Sequence, residues 1–524
     1  MYFFCLLSIK NFCKNKKSIT FVEIYFSMKY LYIYISIFLL FIACKKDPVE
    51  NRKVVLTGGS DYTGNDLQLR VHDFIWKGLN TYYLWQAEVP NLLDNRFGGL
   101  ANTQAGSNDG YTNFLRKYPN NKVGTTQFFH SLLNNYDIVD RFSYITDDYT
   151  VLENQFKGIT ASVGINYVFG IVKEDGKVLA YVRYVVPNSE AARQGLQRGD
   201  VILEINGQPL SKENGLRLLQ QTPVISFITY RFGDGKFEPT GKSYTLHQTQ
   251  EPENPVLIQK VFSKGGRKIA YLMYNAFVAD FDEALNDAFA SFKAQGVTDL
   301  ILDLRYNGGG SINSATYLAS MITGQYSGQV FAREQWNKKL QGLRKNVSTE
   351  YFTTQIEKET KLLAINSLNL SKLYVITSKH TASASELVIN GLKAYIDVVQ
   401  IGETTMGKNQ GSITLYDYID SAHKVKNPKH KWAMQPLVLK IENAKGVGDY
   451  EKGLRPDIYI REMAGNLGEL GDENEPLLAR VLQEITGSTS TKRVRRALGE
   501  PSSFSFEEIN TSTSGYFGLN EMYK

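Results

Sequence analysis

Three short segments carry residue types that could do chemistry together. Thr381-Ala382-Ser383-Ala384-Ser385-Glu386 places a hydroxyl at the start of a predicted helix. Gly402-Glu403-Thr404-Thr405-Met406-Gly407-Lys408 places an amine 25 residues after that serine. Asp303-Leu304-Arg305-Tyr306-Asn307-Gly308-Gly309-Gly310 runs a strand into three glycines. A serine hydroxyl is a weak nucleophile and needs a base. A lysine can be one when uncharged, which requires desolvation to draw its pKa down from about 10.4. At the positive end of a helix, the Ala384 N–H can point at a developing oxyanion. Glycines allow a second backbone N–H from 308–310 to come equally close. The chemistry these residues fit is acyl transfer by a Ser–Lys pair.

Each motif alone has a plainer reading. Ser383-x-x-Glu386 also spells a capping box, and an isolated Lys408 is a solvated surface residue. Their joint spacing beside a glycine run favours catalysis. Gly402 to Lys408 nearly spells a phosphate-binding loop, but Asn409 follows where Ser or Thr is needed, and the next segment is strand-like. His380 lies between Lys379 and Thr381 in a predicted exposed loop and reads as structural. The six histidines show no ligand spacing, so no metal and no cofactor are expected.

All three segments follow predicted strands, at 298–304, 373–377 and 398–401. Sites in α/β sheets form at such carboxyl ends. Further strands are expected at 269–272 and 413–416, and helices at 281–293 and 384–394. This alternation implies a largely parallel sheet across 251–485. The stretch 311–370 is less regular and is expected to include a mobile flap. Residues 66–155 read as a helical domain from spacings such as Leu69, His72, Ile75 and Trp76. Residues 156–250 change to short strands with glycine turns. There, Gly195-Leu196-x-x-Gly199-Asp200, a strand at 201–205 and an Asn206-Gly207 hairpin signal resemble a PDZ domain. Residues 486–524, rich in Ser, Thr, Gly and charge, are expected to form a flexible C-terminal tail. The fold class is therefore multidomain α+β: an N-terminal helical domain, a PDZ-like β domain and an α/β domain.

At 524 residues the chain is long enough for several cores. Its formal net charge is +6, but residues 1–43 hold five lysines against one glutamate, so the remainder carries only +2. That is no footprint for nucleic acid. Residues 1–43 read as an upstream extension followed by a signal peptide beginning at Met28-Lys29. Its apolar run ends at Phe41-Ile42-Ala43-Cys44, which resembles a bacterial lipobox with Cys44 as the lipidated residue. Residues 44–65 are a polar tether. The expected location is the bacterial cell envelope, lipid-anchored on its periplasmic or outer-membrane face, with the membrane a partner through that anchor.

The three motifs, the PDZ and Gly453-Leu454-Arg455-Pro456-Asp457 together resemble the C-terminal processing, or tail-specific, peptidases across residues 66–485. The resemblance implies a catalytic domain of the ClpP/crotonase-like type, with Ser383 as nucleophile and Lys408 as base. It implies an oxyanion hole of Ala384 and a glycine of 308–310, best Gly309. Protein or peptide substrates would be engaged through C-terminal tails by the PDZ, whose Val163-Gly164-Ile165 resembles a carboxylate loop. Where many members carry a Gln four residues after the lysine, this chain has Ser412, with Gln410 two residues earlier. Either could orient the amine. The alternative expectation is a catalytically inactive peptide- or ligand-binding lipoprotein on the same fold.

Overall fold

A computed structural model describes residues 60, 62–173, 175–233, 236–342, 349–358, 361–420, 422–463, 466–487, 506–509 and 522–523. The expected signal peptide, Cys44 and most of the tether lie outside the described residues. Among the described residues no helix is long and apolar enough to cross a membrane.

The N-terminal region is helical, as its periodicity predicts. Asp66 caps Leu67–Tyr82 by accepting the Leu69 N–H at 3.2 Å, and that helix buries Leu69, Phe74, Ile75, Trp76 and Leu79. Trp76, Phe97 and Tyr111 meet edge to face at 5.0–5.8 Å. The region is bound tightly to the α/β domain. Strand Tyr144–Thr146 pairs with Ala433–Gln435. Arg70 bonds Asp417 at 2.8 Å, and Asn337 Nδ2 donates to the carbonyls of Thr81 and Tyr83, each at 3.0 Å.

The PDZ-like sheet runs Ile165–Val172, Val178–Val185, Val201–Ile202, Val224–Gly233 and Lys236–His247 in spatial order. Asn206 and Gly207 both take positive φ, 52° and 72°, as a two-residue hairpin turn requires. The strand expected at 201–205 is in fact two. Val201–Ile202 pairs with Val178–Val185, whereas Glu204–Ile205 pairs with Gln208–Pro209, because the chain changes partners at Leu203.

The α/β domain holds the expected parallel sheet. Its strands lie in the order Ile458–Tyr459, Asp397–Gly402, Lys372–Thr377, Asp299–Asp303, Arg267–Tyr274 and Val256–Lys264, with only the last antiparallel. Helix Pro476–Thr486 covers one face with Leu477, Leu478, Val481 and Leu482 against Ile269, Tyr271, Ile301 and Ile376. A second sheet contains Gly310–Ser311, Gln410–Ser412, Leu437–Asn443, Val330–Trp336 and Thr349–Tyr351.

One expectation changes. Among its described residues the stretch 311–370 is largely regular, with helix Ile312–Thr323 and strands Val330–Trp336, Thr349–Tyr351, Gln355–Lys358 and Lys361–Ala364. That helix buries every residue except Asn313, so it shows no amphipathic stripe to read. Most of the expected tail, 486–524, lies outside the described residues; within it Phe506–Glu508 and Met522–Tyr523 are strands that join the PDZ sheet and the second sheet.

The Asp-Leu-Arg run has a packing role. Arg305, fully buried, donates to Asp303, to Glu475 at 2.7 Å and to Glu462 at 3.0 Å. Glu475 in turn caps helix Pro476–Thr486, and Glu462 is bonded at 2.6 Å by Arg198 from the PDZ region. Burial alone would push the Glu462 carboxyl up, but Arg198 and Arg305 outweigh it and hold it at about 2. The folded value lies below the free one of about 4.3, so this stabilisation is complete above that pH and fades as pH falls towards 2. Thermal melting between about pH 4.5 and 2 should show a fall in Tm. Glu462→Gln should be less stable at neutral pH and show a shallower acid slope; an unchanged slope would remove Glu462 from the acid response.

Candidate active site

Ser383 stands at the turn between strand Lys372–Thr377 and helix Ala384–Leu392. Its backbone is at φ 64°, ψ −116°, a left-handed conformation that costs a serine about 1–3 kcal/mol. Surrounding bonds enforce it. Thr381 Oγ1 donates to the Leu304 carbonyl at 2.8 Å, and Ser378 Oγ donates to the Arg305 carbonyl. The Asn307 carbonyl accepts from Ala382 N–H at 3.1 Å and Ser385 Oγ at 3.0 Å. The serine turn thus hangs from the segment that becomes the glycine run.

Ser383 and Glu386 take up the expected capping-box arrangement at the start of the helix. Ser383 N–H donates to Glu386 Oε2 at 2.8 Å, but Ser383 Oγ, on a fully buried residue, has no hydrogen-bond partner among the described residues. The side chain faces the helix start as a cap does, yet makes no bond to it that would spend the hydroxyl.

Glu386 does more than cap. Its carboxylate, 0% exposed, also accepts Lys408 N–H at 2.8 Å, Gly407 N–H at 2.7 Å and Thr405 Oγ1 at 2.5 Å. One carboxylate therefore fixes both the serine turn and the lysine loop. Burial pushes the Glu386 carboxyl up, against the pull of these donors. Sequence reading took this residue as a cap alone; its position at the N-terminal end of the serine helix was the available signal.

Lys408 is 1% exposed. Its Nζ lies 5.1 Å from the centre of the Phe142 ring, and Arg141 Nη2 donates to the Gly407 carbonyl at 2.9 Å. Both residues come from the N-terminal region and were not foreseen as site residues. Asp140 holds their turn by accepting from Tyr83 Oη at 2.7 Å and Ser143 N–H at 2.9 Å. Ser383 and Lys408 share the Glu386 clamp, but no hydrogen bond joins the serine hydroxyl to the amine. Gly407, at φ 84°, admits no side chain, since a Cβ would lie 2.2 Å from the Glu451 carbonyl oxygen.

The other expected residues fall as follows. Ala384 opens the serine helix. The Gly309 N–H donates to Asn307 Oδ1 at 2.9 Å, so that donor is engaged in this arrangement. Gln410 and Ser412 lie in strand Gln410–Ser412; Gln410 Oε1 is buried with no hydrogen-bond partner among the described residues. In the PDZ loop the Gly164 N–H donates to Ser162 Oγ at 2.9 Å, and a Cβ there would meet Ser189 at 2.5 Å. Val163 is buried, and Ile165 begins the outer PDZ strand opposite Val185. His380 sits apart from Ser383, between Arg183 and Glu508. Among the described residues no group of acidic, His or Cys side chains is arranged to hold a metal ion.

Fold and site together define an α/β protein with a PDZ domain and a strained, buried serine tethered to a buried lysine loop. Residues 268–460 match peptidase family S41, residues 70–144 the S41 N-terminal domain and residues 181–224 a PDZ domain; the chain belongs to the S41 family. It is 25% identical over 319 residues to carboxy-terminal processing protease CtpB of Bacillus subtilis, covering 59% of this chain and 56% of that one. It is also 25% identical over 240 residues to the chloroplastic carboxyl-terminal-processing peptidase 1 of Arabidopsis thaliana, 44% of each. The chain thus spans about half the length of the curated relatives it matches. A crystal structure of a Bacteroides fragilis protein described as an S41 protease superposes with a TM-score of 0.60 at 25% identity, over 79% of this chain and 97% of that one.

Replacing Glu386 by Ala strands four donors in a dry interior and should lower the unfolding free energy by about 3 kcal/mol or more. Glu386→Gln, which keeps the shape but sets an amide against two of the donors, should fall between. Urea denaturation measures both; a Glu386→Ala midpoint equal to the parent's would show that the clamp carries no stability.

Proposed function

We propose that this chain is a serine endopeptidase of the C-terminal processing type, with Ser383 as nucleophile and Lys408 as general base. The observation that carries the reading is the buried, unbonded hydroxyl of Ser383, held in a strained turn and tied through Glu386 to the lysine loop. When the amine closes on the hydroxyl it takes the proton, and Oγ adds to the scissile carbonyl. The oxyanion is met by the Ala384 N–H and a backbone N–H of 308–310. Lysine then gives the proton to the leaving amine as the C–N bond breaks, and water, activated by the same amine, releases the acyl group and regenerates Ser383. With Arg141 and Phe142 packed on the lysine loop, the N-terminal region keeps that side of the site dry.

Substrates are proteins engaged through their C-terminal tails by the PDZ, and the enzyme works in the cell envelope, held by a lipid on Cys44. Support for the anchor is the lipobox-like Ala43-Cys44 after a short apolar run. A second reading, a peptide-binding protein that does not cut, is favoured by the unbonded Ser383 hydroxyl and by Ser412 at the position where the family resemblance leads one to expect Gln.

A fluorophosphonate probe separates the two. On the peptidase reading Ser383 is labelled, Ser383→Ala and Lys408→Ala lose labelling, and both lose cleavage of β-casein by about a thousandfold or more. Because the base must be neutral, labelling should rise with pH. An unlabelled parent chain that also leaves casein intact would sink the peptidase reading in favour of the binding one.

A further inference from the structure

Two strands of the C-terminal segment occupy places where an extended peptide would bind. Phe506–Glu508 adds antiparallel to the outer PDZ strand, with Gly170 opposite Glu508, Ile171 opposite Glu507 and Val172 opposite Phe506. The Ile509 N–H continues the ladder to the Phe169 carbonyl at 3.0 Å. The fit is close: a Cβ at Gly170 would lie 2.3 Å from the Glu507 carbonyl oxygen, so this glycine keeps the edge open to a backbone. Phe506 packs edge-on against Tyr181 at 5.4 Å. Glu508 then crosses to the α/β domain, where Lys379 Nζ meets it at 2.8 Å and His380 Nε2 at 3.2 Å. Those two residues begin the loop that leads to Ser383.

The second strand lies in the site itself. Met522–Tyr523 runs between Gly310–Ser311 and Gln410–Ser412, parallel to both, with Gly310 opposite Met522 and both Ser311 and Ser412 opposite Tyr523. One of these edges ends the glycine run, and the other follows Lys408. The Tyr523 ring is anchored 4.3 Å from that of Phe156.

We propose that the chain's own C-terminal segment is a resident ligand of both seats, restraining the site until a substrate tail displaces it. The proposal rests on the peptidase reading above. Strand addition is a backbone interaction, so any extended peptide can compete for these edges, and two chains cannot pair with one edge at once. A serine hydroxyl with no hydrogen-bond partner among the described residues, Lys408 included, fits a site at rest.

The test compares the full chain with one ending at Leu519, which lacks Met522–Tyr523. If the tail fills the cleft nine-tenths of the time, its removal should lower the KM for β-casein about tenfold with kcat little changed. A strand that only braced the fold would instead lower Tm and kcat together, and that result, or equal kinetics in the two chains, would overturn the proposal. Independently of cleavage, a fluorescein-labelled peptide of residues 515–524 should bind the Ser383→Ala chain ending at Leu519 saturably, read by anisotropy and competed by unlabelled peptide. Absence of binding overturns the tail inference even where casein is cut. Binding with no cleavage and no fluorophosphonate labelling by either chain overturns the peptidase reading and leaves the tail's seat standing.

Discussion

The site depends on a carboxylate shut away from water. Glu386 takes donors from the serine turn on one oxygen and from the lysine loop on both. A carboxylate with four donors in a dry interior has little freedom to move, because losing any one of them leaves a polar group unsatisfied. The two loops it joins follow adjacent parallel strands, Lys372–Thr377 and Asp397–Gly402. Without the clamp that adjacency would bring Ser383 and Lys408 only into the same region. The clamp fixes the backbones of both loops against each other.

A strained residue persists only where its surroundings over-determine it. For Ser383 they do so from three sides: Glu386 below, the 304–307 segment through Thr381, Ala382 and Ser385, and the parallel sheet behind. The 304–307 segment is itself secured by Arg305, whose carboxylate partners reach helix Pro476–Thr486 and, through Glu462, the PDZ region. A buried arginine with several partners stabilises less than its bond count suggests, since desolvation offsets much of the attraction. What it supplies here is connection: a chain of ion pairs runs from Arg198 of the PDZ region through Glu462 and Arg305 to the segment that suspends the serine turn.

These dependencies divide what the sequence could disclose from what it could not. Serine, lysine and glycine run were readable because each follows a strand whose apolar pattern marks it, and topology then gathers the strand ends. The regular structure of 311–370 was not, because helix Ile312–Thr323 is buried all round and its period is hidden. Phe142 and Arg141 were equally out of reach, since their contacts with the lysine loop span more than 260 residues of chain. Gly309 illustrates a finer limit. A glycine run announces close backbone approach, but which N–H faces the cleft depends on the Asn307 side chain, and that bond is invisible before folding.

The tail strands extend the same point to function. A low-complexity terminus with too little apolar content to fold alone can still take up order wherever an unpaired edge offers it a ladder. This chain has two such edges, one on the PDZ sheet and one between the glycine run and the lysine loop, and its terminus meets both. Backbone pairing discriminates little between sequences, so a site built on it would accept any extended segment within reach. Selectivity must then come from what accompanies the ladder, such as the cations Lys379 and Arg183 that pair with Glu508, and the aromatic seats at Tyr181 and Phe156. A resident tail adds a threshold to that selectivity: an incoming peptide must outcompete a tethered one, and tethering gives the resident the advantage of high effective concentration. Weak, nonspecific strands are excluded by that competition, without any change at Ser383.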